Sequence, residues 1–156
     1  MTIDFKKKYL KYKNKYLEAK KQKQQKKHQQ MKGGQLKIED ELNEIMGNMK
    51  IDNKKFVDFV KQSKKNILVI VYAHWCGHCV NMIKHIGPFL KDLDGNTDQI
   101  RYLDGTELTD ELKQKLEIRG FPTIIKIENS TGIDNLNKTE YGGPREVAQM
   151  IEFLNE

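Results

Sequence analysis

The sequence predicts a mixed α/β domain, a central sheet flanked by helices, with an extra lysine-rich helical arm in front of it. Three observations carry this. Residues 67–72, Ile-Leu-Val-Ile-Val-Tyr, form an apolar, β-branched run, which reads as a buried parallel strand. Directly after it, Val80, Met82, Ile83, Ile86 and Leu90 recur at helical spacing. Strand-like and helix-like segments then alternate up to a closing hairpin and helix, the order of a sheet covered on both sides. Composition divides the 156 residues into a basic arm and linker over 1–35 and a folded domain over 36–156.

Within the domain each element has a local reason. Leu36, Ile38, Leu42, Ile45, Met46 and Met49 predict a helix with Gly47 near its end. Asp52 caps a helix through Phe56, Val57, Phe59 and Val60. A strand over 66–72 and the helix behind it follow. Ile100-Arg101-Tyr102-Leu103 reads as a strand, and Thr109 caps a helix through Leu112 and Leu116. A strand over 123–128, the turn Asn129-Ser130-Thr131-Gly132 and a strand over 138–141 make a hairpin. Pro144 at a first helical position opens a last helix with Val147, Met150, Ile151 and Leu154. No internal repeat is visible.

The arm carries twelve lysines against Asp4 and Glu18, so its net charge is +10 while the remaining residues sum to −4. Phe5, Tyr9, Tyr12, Tyr16 and Ala19 are spaced by 4, 3, 4 and 3, a heptad-like seam with lysines on the other faces. A helix is expected from about Asp4, fading in the Gln/Lys tract of 20–30, with too few strong apolar positions to stand alone. Such an arm, over 1–30, can dock on a partner or on another copy. It can serve as a polybasic segment for nucleic acid or anionic membrane, or remain a solvated lysine helix. The tyrosines keep to one face, which suits packing better than stacking on bases. No stretch approaches the roughly 20 apolar residues of a membrane span. The N-terminus lacks the apolar core of about 7–15 residues of a secretory signal. The end, Phe153-Leu154-Asn155-Glu156, is not a KDEL-type retention signal. Cytoplasm is one expected location.

The chemistry is concentrated in Trp75-Cys76-Gly77-His78-Cys79, which holds the only two cysteines of the chain. Cys76 falls at a strand-to-helix junction, where exposed helix amides favour thiolate over thiol. In such a pair the first sulfur attacks and the second, about one turn inward, resolves the mixed disulfide. His78, between them, stabilises the reduced thiolate and makes the disulfide more oxidising. Two other uses of the motif compete with this one. A structural bridge over two residues would constrain little of the unfolded chain. Zinc would need four ligands, and only His74, His78 and His85 lie close by, with no second cysteine pair. Neither a metal nor an organic cofactor is expected; the electrons sit on Cys76 and Cys79.

The segment Ala73-His74-Trp75-Cys76-Gly77-His78-Cys79 resembles the active site of thioredoxin-fold proteins, with the Gly-His pair of the protein disulfide isomerase version. Ile118-Arg119-Gly120-Phe121-Pro122-Thr123 is similar to the family's second motif, and Tyr141-Gly142-Gly143-Pro144-Arg145 to a third. The resemblance covers roughly 49–154. It implies a thioredoxin fold and a thiol–disulfide oxidoreductase acting on protein thiols and disulfides. It also implies a cis peptide bond before Pro122, and a Gly120-Phe121-Pro122 segment whose backbone at Phe121 meets an incoming substrate strand. Arg145 is implied as an arginine that can swing towards the buried cysteine. Trp75, Gly77, His78 and His74 surround the pair as tuning residues. The other reading is a non-catalytic binding or structural protein of an assembly.

The chain departs from that family at three places. Ile70 stands where a buried acid takes or relays the resolving thiol's proton. Lys84 replaces the proline that kinks the active-site helix, which moves any break or kink towards Gly87-Pro88. His74 precedes the tryptophan, where Pro or Glu is usual, and adds a titratable group near Cys76. The lysine/tyrosine-rich start followed by Gly33-Gly34-Gln35 resembles the leaders of giant-virus (mimivirus-like) proteins. That implies a virion as the other location and cleavage after Gly-Gly; a hinge between arm and domain is the plainer reading.

Overall fold

All six side chains of β1 (Ile67–Tyr72) are buried, and the reason is its place inside the sheet. The computed structural model describes residues 11, 13–18, 38–93, 97–128 and 131–156. Along the chain come α1, described over 13–18, α2 (Ile38–Met46), a 3-10 turn (Gly47–Met49), α3 (Asn53–Gln62), β1, α4 (Gly77–Lys91), a second 3-10 turn (Thr97–Gln99) and β2 (Ile100–Asp104). α5 (Asp110–Leu116), β3 (Thr123–Glu128), β4 (Asn137–Glu140) and α6 (Val147–Asn155) complete it. The strand order is β2-β1-β3-β4. β1 pairs parallel with β2 and antiparallel with β3, which pairs antiparallel with β4. The expected mixed sheet with helices on both faces is therefore present.

Alternation along β1 splits the core in two. Leu68, Ile70 and Tyr72 face α2, α4 and α6, packing with Leu42, Met46, Cys79, Ile83, Met150 and Leu154. Ile67, Val69 and Val71 face α3 and α5, packing with Phe56, Val60, Leu112 and Leu116. A period-2 strand covered on both faces must be apolar throughout, as this one is. Local signals set the helix starts and ends. Asp52 accepts from the Lys55 N–H at 2.8 Å and Thr109 from the Leu112 N–H at 3.3 Å, both as N-caps. Gly47, at φ +53°, ends α2 in a conformation that costs glycine little.

Three expectations need correction. The final helix begins at Val147, not at Pro144, with Glu146 as its extended N-cap (φ −115°, ψ 140°). The Pro144 carbonyl is engaged outside the helix, accepting from the Tyr141 hydroxyl at 2.7 Å and the Glu146 N–H at 2.8 Å. α4 does not break at Gly87-Pro88 but runs through to Lys91. Gly87 serves close packing instead: a Cβ there would sit 2.4 Å from the Ile45 Cγ2 of α2. Tyr16 of α1 packs against the α2/α4/α6 core, its ring 5.0 Å from that of Phe89. The outer hairpin strand is Asn137–Glu140, one residue earlier than the expected 138–141. Leu36, Gly33-Gly34, Asn129-Ser130 and the seam positions Phe5, Tyr9, Tyr12 and Ala19 lie outside the described residues.

Candidate active site

β1 ends at Tyr72 and delivers Ala73 into a turn closed by the Cys76 N–H on the Ala73 carbonyl at 3.0 Å. Cys76 then becomes the N-cap of α4, extended at φ −82°, ψ 108°. Its carbonyl accepts from the Val80 N–H at 3.0 Å, so the helix is regular from its first turn. The next cysteine, one turn in, is fully buried at 0 % exposure, whereas Cys76 is partly open. Both are thiols, not joined.

This placement separates the two sulfurs electrostatically. Partial desolvation pushes Cys76 up, but the Cys79 S–H, the backbone N–H groups of Cys79 and His78 and the Arg145 charge outweigh it, and the thiol lies below its ordinary value. Those N–H groups face the sulfur without closing a capping hydrogen bond. Burial pushes Cys79 up to about 12, and its donation to Cys76 adds to this. Arg145 lies exposed in the loop before α6, close enough for its charge to favour both thiolates.

Opposite Cys76 stands the second motif. The Phe121-Pro122 bond is cis. The Cys76 thiol donates to the Phe121 carbonyl at 3.6 Å. Thr123 Oγ1 donates to the Gly120 carbonyl at 2.7 Å and fixes the turn into β3. A Cβ at Gly77 or at Gly120 would meet nothing within 4 Å, so the surface on both sides of Cys76 is open. Trp75 is 67 % exposed and stands edge-on to Phe121, with centroids 5.9 Å apart at 83°.

His74 turns to β2 and pairs with Asp104, Nδ1 to Oδ2 at 3.6 Å. From His78 the structure brings a backbone N–H to Cys76, while its side chain is exposed. Ile70 is 0 % exposed, level with Tyr102 and Ile124, in the cluster that holds Cys79. Sequence reading missed the Asp104-Gly105-Thr106 corner. Asp104 is buried and accepts from the Thr106 N–H at 2.9 Å and Oγ1 at 2.6 Å. Gly105 leaves room for the Phe121 ring, which would lie 2.0 Å from any Cβ there. The available signal was the Asp104-Gly105 pair directly after Leu103, the strand's last apolar residue. Among the described residues no three His, Cys, Asp or Glu side chains gather to hold a metal ion, and no helix is long and apolar enough to cross a membrane.

A dithiol at the N-terminus of a sheet-covering helix, faced by a cis-proline loop, defines the class of thioredoxin-like domains. The chain belongs to the thioredoxin family, whose profile matches residues 47–156. It is 32 % identical over 110 residues to a protein disulfide-isomerase of Datisca glomerata, covering 68 % of this chain and 20 % of that one. It is also 32 % identical over 119 residues to a probable protein disulfide-isomerase A4 of Caenorhabditis elegans, covering 74 % and 18 %. The chain thus spans about a fifth of the length of the curated relatives it matches. Among solved structures, the first thioredoxin domain of mouse protein disulfide-isomerase A4 is 25 % identical with a TM-score of 0.50, covering 68 % of this chain and 71 % of that domain. The J-Trx1 fragment of ERdj5 shares the fold with a TM-score of 0.56 at 18 % identity, covering 72 % and 56 %.

The two sulfurs should label differently. A lowered pKa brings the Cys76 thiolate in at lower pH, so iodoacetamide should reach half its maximal rate there below the ordinary thiol value of about 8.5. Cys79 should stay unlabelled across the same range. Peptide mapping by mass spectrometry separates the two, and faster labelling of Cys79 would reverse the assignment.

Proposed function

We propose that this chain is a thiol–disulfide oxidoreductase acting on disulfides of other proteins, with Cys76 as nucleophile and Cys79 as resolving thiol. The observation that supports it best is the asymmetry of the pair: one partly open, acidified sulfur at a helix N-terminus, one buried and pushed to about 12. The Cys76 thiolate attacks a substrate disulfide. A bond forms between Cys76 Sγ and one substrate sulfur, the substrate S–S bond breaks, and the other sulfur leaves as thiolate. Cys79 then loses its proton and attacks Cys76 Sγ, releasing the second substrate thiol and leaving a Cys76–Cys79 disulfide. Two electrons pass to the substrate. The reverse sequence oxidises a dithiol, and the potential of the pair against its redox partner sets the direction.

The open ground over Gly77 and Gly120 gives room for an extended substrate segment beside Phe121 and Pro122, and Trp75 offers that segment an exposed aromatic face. Protein thiols and disulfides are therefore the substrate class. With dithiothreitol as the electron source, the full chain should precipitate insulin B chain faster than the blank. A rate equal to the blank removes this reading.

A further inference from the structure

Proline has no N–H, so inside a helix it leaves the carbonyl four residues earlier without its usual donor. Pro88 lies inside α4, and the carbonyl it deprives is that of Lys84. That carbonyl is not left bare. The Tyr16 hydroxyl donates to it at 2.8 Å across 68 residues of sequence. The Tyr16 ring lies 5.0 Å from that of Phe89, tilted at 54°, and Phe89 in turn stands edge-on to His85 at 6.4 Å. The Lys84 ammonium pairs with Glu41 of α2 at 2.8 Å, so ionic contacts border the seat where α2 meets α4. On α1 itself Lys11, Lys13, Lys15 and Glu18 are exposed.

We propose that the lysine-rich arm is an intramolecular ligand of the redox domain, and that Pro88 creates its docking seat. The Tyr16 hydroxyl takes the place of the missing amide, and Phe89 supplies the aromatic floor. The placing of the helix proline at 88, with Lys84 four residues earlier, decides which carbonyl opens. With Lys84 in the chain the Val80 carbonyl keeps its amide partner, and the carbonyl that opens lies one turn further along, where Tyr16 reaches it. The seat is on the helix that carries both cysteines, so the arm bears on the element that holds the thiol site. The occupant is the chain's own α1.

A double-mutant cycle on the full chain tests this. Tyr16→Phe keeps the ring on Phe89 and removes only the hydroxyl. It should lower the thermal midpoint by about 3 °C, the effect of one net hydrogen bond in a chain of this size, and trypsin should cut after Lys13 and Lys15 several-fold faster. Pro88→Ala restores an N–H to the Lys84 carbonyl. In that background Tyr16→Phe should cost at most half as much, because the acceptor already has a donor. Equal losses in both backgrounds would show that the hydroxyl and Pro88 are not linked, and would overturn the proposal. Sedimentation equilibrium decides the occupant. A monomer supports docking within one chain; a dimer that dissociates when residues 1–18 are deleted assigns the seat to a second copy's arm and overturns docking in cis.

Discussion

Replacing Cys76 with serine should bring insulin reduction down to the level of the dithiothreitol blank. The hydroxyl that replaces the thiol does not ionise near neutral pH, so the helix N-terminus that lowers the Cys76 pKa has no anion to stabilise. Replacing Cys79 with serine should do something different. Attack by Cys76 remains, but the second step loses its nucleophile, and the mixed disulfide between Cys76 and substrate should accumulate as a band on a non-reducing gel. Neither change should unfold the domain. Cys76 is at the surface, and serine at position 79 removes little volume from the core. The opposite pattern, with Cys79→Ser reduced to the blank and Cys76→Ser trapping substrate, would exchange the two roles.

Much of the domain was legible in the sequence because its signals are local. Strand β3 has the bounds 123–128 read from its own β-branched segment after Pro122, and the Asp52 and Thr109 caps lie three residues from the amides they accept. The cysteine pair was legible for the same reason, since strand, turn and helix N-terminus follow one another within about 15 residues. What escaped depends on distant partners. The need for glycine at 105 comes from the Phe121 ring, and Gly87 answers to Ile45 of another helix. α6 starts at Val147, after an extended Glu146, and the Pro144 carbonyl accepts from the Tyr141 hydroxyl and the Glu146 N–H, contacts that no propensity reports. Pro88 looked like a breaking point and is instead a helix residue with a remote hydroxyl at the carbonyl it deprives. His74 could be seen as titratable, but its partner Asp104 lies at the end of a strand 30 residues later and is brought near by the parallel pairing of β1 and β2.

Ile70→Asp should both destabilise the domain and, at alkaline pH, speed the release of mixed disulfides. Ile70 is 0 % exposed between Tyr102 and Ile124, in the cluster that encloses Cys79. A carboxyl group there loses apolar contacts and enters poorly hydrated surroundings, at a cost on the order of 3–5 kcal/mol. Against a domain stability of roughly 5–15 kcal/mol that cost consumes much of the margin, so the rate is read only on variant protein shown to be folded by its denaturant transition. Burial should raise the aspartate pKa in the folded state above its unfolded value of about 3.9. The folded state then binds more protons than the unfolded one, so stability relative to wild type is best below that value and falls as pH rises through the raised pKa. Denaturant midpoints at pH 5 and pH 8 should show the gap widening. The gain is chemical. Cys79, pushed to about 12, packs in an apolar cluster of the described residues, and an ionised carboxylate placed there would take its proton as it attacks. Ile70→Asn is the control, with a similar packing loss but no proton acceptor. If proton removal from Cys79 limits turnover, the aspartate variant resolves mixed disulfides faster than wild type and the asparagine variant does not. If aspartate and asparagine give equal rates in folded protein, proton removal from Cys79 is not the slow step.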